Sequence, residues 1–229
     1  MSFQEWFSDL FSKFAKLRWE DWMLLAVLVI AAILVLSDRK LSRRNKWTPK
    51  RLAVGGICLS LAVVLGLIRL WRMPMGGSIT PAAMLPLMIF AAFYGLRAGI
   101  LLGVLYGLID LTFGSVSISI ANPMSFLLDY IFAYGAMGLC ALTMPELPRD
   151  EKKLRVRFVT GIVIACAVRF LFSFLSGWLV FPEYAPENTA PIIYSLAYNG
   201  TYMGPNCVIC AVLGWIVGPR IFREMKKIA

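Results

Sequence analysis

Long apolar runs separated by short polar segments dominate this chain of 229 residues. Most of these runs approach the roughly 17–25 residues that an α-helix needs to cross about 30 Å of hydrocarbon. The pattern therefore predicts an all-α integral membrane protein that crosses the bilayer several times. The predicted spans lie at about 21–37, 52–70, 80–95, 98–113, 123–143, 158–181 and 192–218.

Other features of the pattern lie between and before these spans. In residues 3–19, large apolar side chains recur at helical spacing with charges between them, which is typical of an amphipathic helix at a membrane surface. A strongly basic loop, 38–51, follows the first span. No short apolar stretch with a small-residue cleavage site is present, so we expect no removable signal peptide. Residues 94–97 predict a tight turn between two helices.

Composition agrees with a membrane protein, because 59% of the residues are hydrophobic and soluble domains are about 45–50% apolar. Of the 23 Lys and Arg residues, 17 lie in the loop 38–51, at Arg97, in the loop 144–157 and in the tail from Arg220. The positive-inside rule then predicts an outside N-terminus and a cytoplasmic C-terminus. Anionic membrane lipid accounts for the net charge of +10, so we expect no nucleic-acid partner.

The chain has five cysteines and no histidine, and histidine is the commonest metal ligand and a frequent general base. Cys207 and Cys210 form a C-x-x-C motif, which is compatible with metal or redox chemistry or with simple packing. No second cysteine pair lies nearby. We therefore interpret the cysteines as packing residues and expect no metal and no cofactor.

A few polar side chains fall inside the predicted spans, where a charge costs about 2.5–3.5 kcal/mol and usually faces a cavity or a partner. Asp129, in SFLLDYIFAYG, is the sharpest case. Its carboxylate faces a ligand in a pocket, forms an internal ion pair, for example with Arg169, or reaches water. Asp110 lies near the end of its helix, and we expect it to be interfacial.

Tyr194 and Asn199 lie five residues apart near the start of the last span. On a regular helix they would point about 140° apart. A shared pocket therefore predicts an irregular start to this helix, which Gly200 and Pro205 would permit. The alternative places Tyr194 in the interfacial aromatic belt.

Several segments resemble the ThiT family, the thiamine-specific S-components of energy-coupling factor (ECF) vitamin transporters. The similarity covers about residues 51–220, in the same order. It implies a six-helix S-component-like bundle at 51–229 in a prokaryotic cell membrane, preceded at 1–50 by an added surface helix, one extra transmembrane helix and the basic loop. The segments that carry it are YGLRAGILLGVLYGLID, LLDY, RFLFSFLSGWLVFPEYAP and YSLAYNG.

The resemblance implies a binding site for thiamine or a related small molecule. Asp129 stands where the family has a glutamate that binds the pyrimidine ring. Tyr130 matches its tyrosine, and Tyr194 and Asn199 match a tyrosine and an asparagine of the site.

Other positions of the implied site depart from the family. Tyr106 and Phe181 stand where the family has tryptophans, and Ser173 stands at a histidine. Gly77 and Pro81 lie where the family can carry a tryptophan and a second glutamate. These departures leave open a related pyrimidine or thiazole compound as the ligand.

The resemblance also implies partner proteins. S-components bind a transmembrane coupling subunit through small residues of their first core helix, and Gly56 and Ser60 have small-x-x-x-small spacing here. The alternative is packing within the bundle. The chain lacks the G-x-x-x-x-G-K-[ST] phosphate loop, so separate ATPase subunits are expected to supply the energy.

The expected function is therefore non-catalytic binding of thiamine for uptake. One alternative is an S-component for a related compound or another vitamin. A second is a membrane enzyme acting on a lipid, with Asp110 and Asp129 as the only acids within spans. A third is a structural or assembly protein without a ligand.

Overall fold

The computed structural model describes Val29 and residues 47–74, 76–113 and 123–228. The predicted surface helix at 3–19, the predicted span at 21–37, most of the basic loop and the loop 114–122 lie outside the described residues.

Six helices form the described part of the chain, which confirms the predicted all-α class. A two-stranded antiparallel hairpin pairs Trp71 with Ile79 and Arg72 with Ser78, and a short 3₁₀ turn spans Pro182–Tyr184. The elements are α1 (Pro49–Leu67), β1 (Trp71–Arg72), β2 (Ser78–Ile79), α2 (Leu85–Tyr94), α3 (Leu96–Phe113), α4 (Pro123–Thr143), α5 (Glu151–Leu179) and α6 (Pro191–Ile228). By length and composition, α1, α4, α5 and α6 are suited to cross a membrane.

The span predicted at 80–95 contains a shorter helix than expected. The helix there, α2, has only 10 residues, which gives a length of about 15 Å. All of its residues except Tyr94 are buried, as expected for a helix that is apolar on every side. Ala82 has a φ of 62°, and the irregular backbone around it delays the start of the helix.

The predicted tight turn after α2 is confirmed. Gly95 has a φ of 97°, and its N–H donates to the Ala91 carbonyl at 2.7 Å. Glycine adopts this conformation without steric cost, so α3 begins directly at Leu96 and packs back along α2.

Helix α4 is irregular, and it lies against the glycines of α3. Residues Phe126–Phe132 form π-helical turns, and Ala136–Thr143 form 3₁₀ turns. A Cβ atom at Gly138 would come within 2.6 Å of the Ile100 side chain, so the two helix backbones approach closely there. π-Helical turns occur frequently at functional sites, and this one carries Asp129.

The helices alternate in direction, so one end of the bundle gathers the ends of α1, α3 and α5 and the starts of α2, α4 and α6. At the opposite end, buried side chains of α5, α6 and Met144, the residue that follows α4, form a packed cluster that we name the apolar half. Phe158 and Phe222 lie at its centre, with ring centroids 5.0 Å apart. The apolar half consists of Met144, Leu154, Phe158, Phe222 and Met225.

Candidate ligand-binding cavity

A cavity of about 200 Å³ opens at the end of the bundle opposite the apolar half. Residues of five helices (all except α2), of β2 and of the segments that flank β2 line it. Pro81 is not among the residues that line the cavity. The structure brings together seven other residues that the resemblance assigns to the site, although ligand contact by each of them stays a prediction. These residues are Tyr106, Asp129, Tyr130, Ser173, Phe181, Tyr194 and Asn199.

Tyrosine is the dominant aromatic residue of the cavity wall. The chain has eight tyrosines, and all except Tyr94 line this cavity. Their rings pack on one another: the centroids of Tyr194 and Tyr198 are 5.9 Å apart, and those of Tyr106 and Tyr134 are 4.9 Å apart. Such a wall offers aromatic faces to a flat or cationic ligand and hydroxyl groups to its polar edges.

The last helix begins regularly, so the predicted irregular start is wrong. Helix α6 is continuous from Pro191 to Ile228, with Pro205 inside it. Tyr194 and Asn199 nevertheless both line the cavity. They mark the two edges of a face about 140° wide, and the cavity-lining residues between them are Ser195, Tyr198, Tyr202 and Asn206.

Asp129 projects from the π-helical part of α4, and its hydrogen-bond partner is a serine. The Ser176 hydroxyl donates to its Oδ2 atom at 2.5 Å. Among the described residues, Asp129 and Arg169 form no ion pair within 4 Å. The interpretation of Asp129 as half of a direct ion pair is therefore wrong for this arrangement, and the carboxylate remains directed at the cavity.

Asp110 also lines the cavity, so the expectation that it is merely interfacial is wrong. The Tyr134 hydroxyl donates to its Oδ2 atom at 2.6 Å. The Arg169 guanidinium lies 4.7 Å from the centroid of the same tyrosine ring, a cation–π geometry. Tyr134 therefore links a carboxylate and a guanidinium at the cavity wall.

Asn199 joins α6 to α5. Its Nδ2 group donates to the Ser195 carbonyl at 3.0 Å and to the Ser173 carbonyl at 3.3 Å, and its Oδ1 atom accepts from the Tyr202 hydroxyl at 2.9 Å. A side-chain amide oxygen has two lone pairs. Among the described residues, one acceptor position of Asn199 therefore has no hydrogen-bond donor.

Sequence reasoning missed several lining residues of α6. Tyr194, Tyr198, Tyr202 and Asn206 recur every four residues, a spacing that places polar groups on one helix face. That periodicity was the available signal. The five-residue separation of Tyr194 and Asn199 does not reveal this four-residue period.

An aromatic ring of α6 lies directly beside Gly77. A Cβ atom at this position would lie 2.7 Å from the ring of Tyr202. The tyrosine ring therefore occupies the space beside residue 77 and supplies an aromatic face there.

The two small residues of α1 face away from the bundle. Gly56 and Ser60 are exposed, and a Cβ atom at Gly56 would meet nothing within 4 Å. Packing among the described residues therefore does not explain them. They belong to the outer surface of α1, together with exposed apolar side chains such as Leu52, Ile57 and Val64.

The arrangement of these helices matches that of two solved structures. The structure resembles ThiT from Listeria monocytogenes, with a TM-score of 0.65, 20% sequence identity and coverage of 78% of this chain and 96% of that one. It also resembles a structure described as the S component of a bacterial ECF transporter, with a TM-score of 0.53, 18% identity and coverage of 77% and 98%.

Sequence similarity identifies the family. Residues 52–224 match the thiamine transporter protein family (Thia_YuaJ). The chain is 32% identical over 186 residues to the thiamine transporter ThiT of Bacillus subtilis, covering 77% of this chain and 95% of that protein. It is 28% identical over 123 residues to ThiT of Lacticaseibacillus paracasei, covering 51% and 61%. The chain belongs to the thiamine transporter protein family, as the resemblance indicated.

Proposed function

We propose that this chain is the substrate-binding membrane subunit, or S-component, of an ECF-type importer and that it binds thiamine. The observation that carries the proposal is that seven tyrosines and the Asp129 carboxylate line one cavity. Membership of the thiamine transporter protein family supports the same ligand. The role is binding and transport without catalysis.

The chemistry of thiamine fits this wall. Its thiazolium ring is a flat cation, and tyrosine faces attract such a cation by about 0.5–2 kcal/mol each. Its aminopyrimidine carries N–H donors, for which the Asp129 carboxylate and the open Oδ1 position of Asn199 are acceptors. Tyr130, Tyr106 and Phe181 would supply the stacking surfaces.

A second candidate ligand is a related pyrimidine or thiazole compound. The observation that favours it is Ser173, a buried small residue beside the cavity where the family has a histidine. Compared with histidine, serine leaves more room and replaces two ring nitrogens by one hydroxyl group for hydrogen bonding. Substitution of Ser173 therefore tests whether the cavity prefers thiamine or the related compound.

Other protein subunits would supply the energy for transport. We propose that α1 binds a transmembrane coupling subunit through the surface that carries Gly56 and Ser60, and that ATPase subunits drive transport. The cavity then faces the cell exterior, because the predicted cytoplasmic segments at Arg97, 144–157 and the tail follow the opposite helix ends. The segment 1–50 would add a surface helix and one span in the lipid.

Ligand titration of the purified full-length protein tests the proposed function. Trp178 follows the cavity-lining Gly177, so we expect saturable thiamine-dependent quenching of tryptophan fluorescence. Asp129→Ala and Asn199→Ala should both weaken the binding. No response to thiamine from protein shown to be folded would reject this ligand, and preferential binding of an isolated pyrimidine or thiazole would favour the second candidate.

A further inference from the structure

Asn206 connects α6 to the hairpin that forms one wall of the cavity. Its Nδ2 group donates to the Ser78 carbonyl and to the Tyr202 carbonyl, both at 2.8 Å. Its Oδ1 atom accepts from the Thr80 backbone N–H at 2.9 Å and from the Thr80 hydroxyl at 3.3 Å. Two of these partners lie in or directly after β2, which is more than 120 residues away in the chain.

These four hydrogen bonds occupy the whole side chain of Asn206. A primary amide has two donor hydrogens and two acceptor lone pairs, and the protein itself uses all of them. Asn206 and Thr80 are also buried. Although Asn206 lies at the cavity wall, it has no hydrogen-bonding position left for a ligand, in contrast to Asn199.

The hairpin depends on this attachment. Each of its strands has only two residues, and an isolated two-stranded hairpin is at best marginally stable in water. The hairpin also contacts α6 through the packing of Gly77 against the Tyr202 ring. Residues Gly77 and Ser78 line the cavity, so movement of β2 away from α6 would open the wall.

We propose that Asn206 is a positioning residue that fastens β2 to α6 and thereby sets the rate at which a bound ligand leaves the cavity. The ligand part of this inference rests on the proposed function, and thiamine serves as the probe. The fastening itself is a property of the protein without ligand. Asn206 acts through β2 and does not touch the ligand.

Rapid-mixing kinetics with Asn206→Ala test the effect on the ligand. We expect the thiamine dissociation rate constant to rise at least about tenfold, equivalent to about 1.4 kcal/mol, and the association rate constant to change much less. Thr201→Ala is the matched control, because its hydroxyl bonds to the Ala197 carbonyl on the exposed side of the same helix. That control should keep the wild-type rates.

Two milder variants keep the proposal testable if Asn206→Ala does not fold. Thr80→Val removes only the hydroxyl bond to Asn206 and should raise the dissociation rate constant about threefold, whereas Thr80→Ser should restore the wild-type value. Unchanged dissociation in both Asn206→Ala and Thr80→Val would overturn the proposal.

Hydrogen exchange of the ligand-free protein gives an independent measurement. In Asn206→Ala, the amides of Leu70 and Thr80 should exchange faster, because one bonds to Ile79 of the hairpin and the other to Asn206. Amides around Ile162 in α5 should be unaffected. Unchanged exchange at Thr80 would refute the fastening, even if the wild-type protein failed to bind thiamine and the proposed function were rejected.

Discussion

The cavity end and the apolar half are built from the same two long helices, but their buried faces differ in chemistry. At the cavity end, α5 presents Ser173 and Ser176, and α6 presents Asn199 and Asn206. At the opposite end, the corresponding faces carry residues such as Phe158 and are closely packed. Along both helices one face stays buried, and only the residue types on that face change.

This difference separates binding from scaffolding. In the apolar half, side chains meet one another directly, so the helix positions depend on packing. At the cavity end, side chains meet across a space, and hydrogen bonds such as that of Ser195 to the Phe174 carbonyl at 2.8 Å hold α5 and α6 together. Substitutions in the two halves should therefore have different effects.

The largest expected effect is loss of stability from the apolar half. Phe158 is 1% exposed, and Phe158→Ala would leave a cavity that costs about 3–5 kcal/mol in a packed interior. We expect a clear fall in the melting temperature of the detergent-solubilised protein, with thiamine affinity retained at low temperature.

The matched control for this prediction is Leu171→Ala, which truncates a side chain that is 49% exposed on α5. It should leave the melting temperature nearly unchanged. Equal destabilisation by the two variants would contradict the distinction between the packed half and the outer surface.

The next largest effect should be on binding alone. Asp129→Asn keeps the shape of the side chain and an acceptor for Ser176 but removes the charge. Loss of one partner from a buried charged contact costs about 2–5 kcal/mol, so thiamine should bind about thirtyfold more weakly or worse. Isothermal titration calorimetry would measure this change, and the melting temperature without ligand should not fall.

A control for the loss of charge is available at the other end of the bundle. Asp150 caps α5 by accepting from the Lys152 N–H at 3.1 Å, and asparagine caps helices about equally well. Asp150→Asn should therefore bind thiamine normally. Weakening of equal size in this variant would show that general charge, not the cavity, governs affinity.

The smallest effect on fold and binding is expected at the outer surface of α1. Gly56→Leu projects into open space, so stability and thiamine affinity should stay at wild-type levels. Thiamine uptake in cells that contain the coupling and ATPase subunits should fall, because the bulky side chain prevents close approach.

Gly204→Leu on α6 is the corresponding control, because a Cβ atom there would also meet nothing within 4 Å. Uptake should survive this substitution. Normal uptake by Gly56→Leu would remove the evidence for a partner at that surface.

The fold was predictable from the sequence where apolar runs are long. The positions of α1, α3, α4, α5 and α6 follow from such runs, because lipid or a packed bundle demands apolar side chains along the whole helix. The short length of α2 was not predictable in this way, because a short buried helix and a longer spanning helix have the same apolar composition.

The candidate site was predictable mainly through the resemblance. It named Asp129, Tyr194 and Asn199, and the structure places all three at one cavity. Asn206 and Thr80 were not predicted, because their hydrogen bonds join segments that are distant in the chain. Periodicity describes one helix at a time and contains no information about contacts between elements.

The sequence by itself determined the class of protein, the order of its helices and the concentration of tyrosine and polar residues near the last span. These properties depend on local composition and spacing. Only the tertiary structure decided that Tyr194 and Asn199 share a cavity on a regular helix, that Asp129 bonds to Ser176, and that Asn206 holds the hairpin. Each of these depends on which helix faces meet, and packing of the whole bundle settles that.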